Sequence, residues 1–526
     1  MTAPAGHTDL RLGIVRAVKS WRAVCGVVAA VLRCGSAWAA PQDTPHGIGD
    51  ARDPAAALSS TPEVDAGSPA PAAASGGSPA PGSAPAPEPA ANHPASPKRA
   101  LPDYSGRGPE PRSTAGEIAL WVPRVILSPL YFVNEFVLRR PLSAIVPPIE
   151  KAQIPRKVYD FFIFGVDHKA GIVPVGFIDF NFNPSVGLYA FWDDALFSGH
   201  DLVLHAEFWP TDWIAGMFSE RFRGSGGRSL TLKVTGIQRP DHMFFGIGPS
   251  SIQNHRSRYG ADTVDASATF SKVFWRASRI DAAIGVRDVR TYNGHYYQDY
   301  NLQRAASIGD YPIPYGFEEQ YTLAYSRLVA AFDNRRPYPF PGSGVRLEGQ
   351  VEQDSAWNPS PGSEWIRYGA MAGGFWDVNG YRRVLSLTVA AFFADPIGSQ
   401  QIPFTELVTL GENPFNQLWT PGGDGFLRGF FPGRLVDRSA ALATIRYTWP
   451  VGPWVDADVS LSAGNVFGVH LDEFRAGLIR LSGTFGFLLS AMRGPPVELL
   501  IGAGTETFDN KAQLNLVRAS VGVNRF

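Results

Sequence analysis

The sequence predicts an all-β fold, a transmembrane antiparallel β-barrel of about 16 strands, and three observations carry that expectation. From Gly171 to Phe526, apolar and polar residues alternate with period two along one short stretch after another. That spacing sends successive side chains to opposite faces of a strand. The 526-residue chain is also rich in 55 Gly, 34 Phe, 17 Tyr and 13 Trp against 18% charged residues, the balance of an aromatic-girdled β protein. Finally, mean hydropathy is −0.08, and no run of about 18 or more apolar residues occurs, so spanning helices are excluded and a closed barrel remains.

Taken in chain order, residues 1–40 read as a signal peptide. Arg11, Arg16, Lys19 and Arg22 precede the apolar stretch "AVCGVVAAVL", and the small residues of "SAWAA" place cleavage near Ala39 or Ala40. Arg33 interrupts the apolar core and stands where a lipobox around Cys34 would need a small residue. Cys25 and Cys34 are the only cysteines, so a chain cut there has no thiol for a disulfide or a metal.

Residues 41–114 form a Pro/Ala/Ser-rich segment ("PAPAAASGGSPAPGSAPAPEPAANHPASP") with almost no large apolar side chains. It is expected to be a disordered linker, either a semi-extended tether or terminal filler. Residues 115–165 are expected to hold a short helix. In "SPLYFVNEFVLRRP", Ser128 caps, Pro129 opens the first turn, and Arg139 and Arg140 sit in the last turn before Pro141. Leu130, Val133 and Val137 share one face, with Phe132 and Phe136 beside it. Such a helix packs on whatever follows, lies at a barrel rim, or plugs the lumen.

The barrel itself is expected over residues 166–526. "SLTLKVTGI" sets Leu230, Leu232 and Val234 against Ser229, Thr231, Lys233 and Thr235. "GVRLEGQVE" sets Val345, Leu347 and Val351 against Arg346, Glu348, Gln350 and Glu352, and "WVDADVSLSAG" alternates in the same way. A soluble sandwich would alternate too. Several charges on one polar face, with aromatic residues at strand ends ("YAFW", "AEFW", "YTWP"), favour a wet lumen and a membrane girdle. Five strands are expected near 440–450, 454–466, 478–491, 497–508 and 512–526, with about eleven upstream.

Before those five lies "GGDGFLRGFFPGRLVDRSAALATIRYTWP", starting at Gly422. With "FFGIGPSS" (244–251), "RPYPFPGSGVRLEGQ" (336–350), "SAGNVFG" (462–468) and a terminal phenylalanine, it resembles the bacterial surface antigen superfamily of outer-membrane barrels. That family includes the BamA and TamA assembly factors, with the two-partner secretion transporters as relatives. The resemblance covers Gly171 to Phe526. It implies a loop folded back into the lumen, with Arg428 paired to a wall carboxylate, Gly429 making the sharp turn and Phe430 packed on the wall. A guanidinium in a narrow lumen needs such a partner; the other reading of Arg428 is a solvated loop arginine.

Two departures bear on what the resemblance implies. The acidic position two residues before the glycine of "AGNV" is Ser462 here, and the aromatic two before that is Ser460. Asp458 and Asp456 share the same parity, so one of them is the expected partner of Arg428. No small docking domains of alternating strands and helices are visible before the barrel, so the chain is expected to be a barrel-only member. At the end, "LNLVRASVGVNRF" resembles an insertion signal closed by Phe526, with Asn524 where an aromatic is usual; Phe526 as an ordinary closing residue is the alternative.

The function implied is insertion or translocation of polypeptide, or of lipid, at the outer membrane of a Gram-negative bacterium, with the N-terminal segment in the periplasm. A weak seam between first and last strands would expose unpaired backbone to a client. Implied partners are outer-membrane lipid, the barrel assembly machinery for the chain's own insertion, and an unidentified client polypeptide. A formal net charge of −1 argues against a nucleic-acid partner. A passive structural barrel or pore, and a lipid-modifying barrel enzyme, stay open as alternatives. No G-x-S-x-G, H-E-x-x-H, P-loop or dinucleotide fingerprint occurs, so no catalysis, cofactor or metal is expected. His168, His205, His242 and His255 are scattered and expected to be solvated, and adjacent Asp193 and Asp194 would leave a strand on opposite faces.

Overall fold

The computed structural model describes residues 154–523, apart from 166, 210–212, 336–341, 359–361, 379, 381, 412–425, 452–454 and 490–496. The signal peptide, the linker, the stretch "SPLYFVNEFVLRRP" and Phe526 lie outside the described residues.

A helix α1 (Ile154–Phe162), with Pro155 in its first turn where a missing N–H is harmless, runs into the two-residue strand β1 (Ile163–Phe164). The barrel begins with β2 (Ala170–Asp179), β3 (Ser185–Trp192), β4 (His200–Trp209), β5 (Trp213–Gly224) and β6 (Arg228–Phe244). It continues with β7 (Ser257–Trp275), β8 (Ser278–Asn293), β9 (Gln320–Asp333), β10 (Gly344–Asn358), β11 (Glu364–Asp377) and β12 (Val384–Ile397). A short helix α2 (Leu302–Ser307) interrupts the loop before β9. Loop 398–438 after β12 carries its own small pair of strands, β13 (Val408–Leu410) and β14 (Leu435–Asp437). The chain then returns to the wall through β15 (Ser439–Pro450), β16 (Val455–Phe467), β17 (Arg480–Leu489), β18 (Val497–Thr505) and β19 (Leu514–Gly522).

Each wall strand pairs antiparallel with the next, and β19 closes onto β2, giving a sealed ring of 16 strands. The last five begin within two residues of the positions that the periodicity predicts. The polarity is inside-out relative to a sandwich. On β10, Val345, Leu347 and Val351 are exposed on the outer wall while Glu348 and Glu352 are buried in the lumen. On β8, Ile280, Ile284 and Val286 face out and Arg287 faces in. A water-soluble sheet would bury those apolar faces; a bilayer is the solvent that suits this wall.

At the end where β2 starts and β19 finishes (the near end) the connections have at most ten residues, and the longest ones, 294–319 and 398–438, lie at the far end. The main apolar core lies inside the far half of the barrel, where Phe244 and Tyr259 of the wall share one buried cluster with Phe404, Leu410, Phe430 and Val436 of loop 398–438. The lumen at this level is packed with protein.

Closure is uneven. Among the described residues, only Ser520↔Asp179, Val521↔Ile178 and Gly522↔Phe177 are in register between β19 and β2, whereas the next-shortest pairing of wall strands, β3 with β4, runs over seven residues from Val186 to Trp192. Flanking bonds from Phe180 N to Ala519 O at 3.0 Å and from Val523 N to Gly176 O at 2.9 Å extend the seam slightly. Lower on β2, the edge not used by β3 is taken at two residues by β1, through Ile163↔Gly171 and Phe164↔Ala170.

Candidate functional site

Loop 398–438 is fastened inside the lumen at three places. Pro403 starts a tight turn, Phe404–Glu406, that aims Glu406 at the wall. The Glu406 carboxylate accepts from Arg287 on β8 at 2.9 Å, and from the Tyr321 hydroxyl on β9 at 2.8 Å. It also meets Arg367 on β11 at 2.9 Å. Arg367 in turn faces Asp354 at 3.1 Å and contacts Glu352, so the buried charges alternate in sign. The second fastening is Arg434, which is buried and donates to Ser251 Oγ at 2.8 Å, Ser251 O at 2.8 Å and Gln253 Oε1 at 3.1 Å. Glu506 lies 3.4 Å from it and also pairs with Arg480. Burial, with the Arg480 charge adding to it, lowers the Arg434 pKa to about 9.

The third fastening is the loop tip. Leu427 adopts the left-handed conformation, φ 54°, and Phe430 N donates back to Leu427 O at 2.9 Å, closing a tight turn. Arg428 meets Glu498 on β18 at 2.5 Å. Gly429 N donates to Ser482 Oγ on β17 at 2.9 Å. A Cβ at Gly429 would stand 2.3 Å from the Ala503 carbonyl oxygen, one at Gly502 2.7 Å from Gly429 Cα, and one at Gly504 2.6 Å from the Phe430 ring. The glycines of "LLIGAGT" thus form the slot that receives the tip, and Phe430 is buried over it.

A carboxylate of β18, two strands beyond the expected one, thus meets Arg428. Asp458 is matched instead with Arg446 at 2.9 Å. In the β15–β16 register Arg446 sits opposite Ser460, which makes it the diagonal same-face neighbour of Asp458. Asp456 is matched with Arg382, from the turn before β12, at 2.8 Å. A wall arginine and a turn arginine thus reach these aspartates at short range. Toward the near end, a cavity of about 230 Å³ remains below the tip, lined in part by Arg346, Arg382, Arg446 and Asp456.

The histidine expectation needs correcting too. His205 and His242 are buried, not solvated, because the inner wall is packed by neighbouring side chains. His205 lies 2.8 Å from Glu207 and His200 2.8 Å from Glu220. Ser185 donates its hydroxyl to Glu207. A serine nucleophile needs the order hydroxyl, imidazole, carboxylate, and this contact runs from hydroxyl to carboxylate. Asp193 and Asp194 lie in the turn after β3, outside any strand.

Asp437, at the end of β14, supplies a pH-dependent element. Burial, with the Glu473 charge adding to it, raises its carboxyl from 3.8 to about 6, although the Arg438 backbone N–H and charge oppose the shift. A raised folded-state pKa means the folded loop holds this proton more tightly than the unfolded chain does. Its contribution is fully present below about pH 4 and is lost as pH rises through about 6. Asp437→Asn is expected to flatten that part of the stability profile and to stabilise the protein at neutral pH by on the order of 2 kcal/mol. Urea midpoints at pH 4.5 and 7.5 for both proteins check it; parallel profiles would discard the assignment.

No family model and no curated protein matches this chain. Among solved structures, BamA from Haemophilus ducreyi lacking POTRA domains 1-3 is 14% identical over 68% of this chain and 70% of that one, with a TM-score of 0.47. CdiB from Acinetobacter baumannii is 10% identical over 68% and 60%, with a TM-score of 0.41. OccK11 (OpdR) from Pseudomonas aeruginosa is 9% identical over 67% and 94%, with a TM-score of 0.30. The closed strand register and the apolar outer wall establish the architecture without these neighbours. This chain is a membrane-spanning β-barrel.

Proposed function

We propose that the chain sits in the outer membrane of a Gram-negative bacterium, with its N-terminal segment in the periplasm, and inserts or translocates polypeptide there. The observation that carries this reading is the seam, where three of the described residues pair in register. A strand pair joined so briefly parts at far lower free energy than the long ladders elsewhere in the wall, and parting bares two rows of backbone N–H and C=O groups. An extended client strand completes both rows by adding to the edge. The filled far half of the lumen supports the same reading, because a conduit for solutes gains nothing from a core built across it. Outer-membrane lipid is the surrounding solvent, and lipid is the other cargo that a lateral opening suits.

Single-channel conductance in planar bilayers separates this from a passive pore. Native protein is expected to give small, flickering currents that grow by severalfold in Arg428→Ala and more weakly in Glu498→Gln, as the tip loosens in its slot. Large, steady currents indifferent to both substitutions would mean an open pore, and the insertion reading would be abandoned.

A further inference from the structure

The short seam raises the question of what keeps it shut. Arg518, on β19, is fully buried and aims its guanidinium at Asp179, the last residue of β2. Nη2 donates to Asp179 Oδ2 at 2.7 Å, and Nε lies 3.2 Å and 3.3 Å from the two carboxylate oxygens. The pair thus crosses the seam inside the lumen, at the register position Ser520↔Asp179 where the ladder ends. The remaining edge of the same guanidinium points to the loop tip. Nη1 donates to the backbone oxygens of Arg428 at 3.4 Å and of Phe430 at 3.3 Å. One side chain therefore touches the first strand, sits on the last strand, and holds the carbonyls on both sides of Gly429.

We propose that Arg518 is a latch that makes seam opening and loop withdrawal a single coupled event. If β2 leaves, Arg518 is a buried cation that has lost the Asp179 carboxylate. It must turn toward water, and the tip loses its donor. If the tip leaves, water reaches the Arg518–Asp179 pair and the attraction weakens as the local dielectric rises. Each movement lowers the free energy of the other, and such coupling is reciprocal. The inference stands on the contacts alone and is indifferent to whether the barrel passes polypeptide, lipid or solute.

The test uses the full chain in outer-membrane-like bilayers, with Cys25→Ser and Cys34→Ser as background. Ile178→Cys with Val521→Cys, a register pair facing outward, reports seam closure through the rate of disulfide formation. In a separate sample, maleimide labelling of Phe431→Cys reports loop withdrawal, since Phe431 is buried. Gly429→Ala, which forces the tip off its slot, is expected to slow the seam disulfide by about fivefold or more, the lower end of ordinary coupling. With Arg518→Gln the disulfide is already slow and Gly429→Ala adds nothing. Exchanging the charges, Asp179→Arg with Arg518→Asp, raises the seam disulfide rate above that of Arg518→Gln only as far as that of Gly429→Ala, and leaves Phe431→Cys open to label, because aspartate cannot donate to the loop carbonyls. Only folded protein, scored by heat-modifiable gel mobility, is counted. Should Arg518→Gln fail to fold, Asp179→Asn decides the matter: faster Phe431→Cys labelling supports the latch, and unchanged labelling overturns it. An equal effect of Gly429→Ala with and without Arg518, or no effect on the seam at all, likewise overturns it.

Discussion

Glutamine in place of Glu406 is expected to lower unfolding stability by about 3–5 kcal/mol, the usual consequence of removing one member of a buried charge cluster. Glu406 is the loop's own contribution to a group otherwise made by the wall. It sits 2.9 Å from both Arg287 and Arg367, and these arginines stay buried when it is neutralised. Asp354, Glu352 and Asp265 remain, but they are fixed to the strands. The loss therefore falls on the attachment of loop 398–438 rather than on the ladder. Glu498→Gln provides the contrast. Glu498 is 29% exposed, so screening leaves its pair with Arg428 worth about 1 kcal/mol or less. Urea titrations followed by gel mobility measure both. Equal midpoints for Glu406→Gln and the native protein would show that the loop is held without its acidic anchor.

Valine at Gly429 is the second large effect. Its Cβ would stand 2.3 Å from the Ala503 carbonyl oxygen and 2.6 Å from Ser482 Oγ, and a backbone carbonyl in a paired strand cannot yield that much. The tip must lift by about an ångström or more, which breaks the Gly429–Ser482 hydrogen bond and draws Arg428 from Glu498. Gly502→Val lifts the same tip from the other side, since its Cβ falls 2.7 Å from Gly429 Cα. Once either has acted, the second has nothing left to displace, so the double variant should match the single ones instead of summing them. Gly483→Val is the control: a Cβ there meets nothing within 4 Å. Loop proteolysis rates read all four proteins, and protection unchanged in Gly429→Val would mean that the slot is not what holds the tip.

The wall was legible in the sequence because period two is a local property, and an inside-out polarity shows in the charges of "GVRLEGQVE" and "WVDADVSLSAG". The site was legible only in part. Arg428 stands out in its glycine-rich loop, but its partner depends on how the loop descends across a curved wall, and no local pattern encodes that path. Glu498 did carry a signal, as the one carboxylate of "VELLIGAGT", with the glycines that receive Phe430 following at Gly502 and Gly504. Arg434 lies in the same quoted motif, six residues past Arg428, and nothing local distinguishes it from the solvated arginines usual in loops. Arg518 and Asp179 are 339 residues apart and become neighbours only because the ring closes. The buried histidines show the opposite limit: His205 and His242 are polar residues of the inner wall, but a polar face inside a crowded lumen is not a wet one.

The wall is also unequal in height. Strands β2, β3, β18 and β19 have 10, 8, 9 and 9 residues, whereas β6 and β7 have 17 and 19. At about 3.3 Å per residue and a tilt of about 40°, a nine-residue strand rises only about 23 Å, short of the roughly 30 Å hydrocarbon layer. Lipid tails beside the closing strands must shorten or splay to avoid covering polar rim groups, and each ångström of that mismatch raises the local free energy of the bilayer. A strand leaving sideways through the barrel would thus meet lipid that is already thinned, so the membrane yields most easily on the side where the protein does.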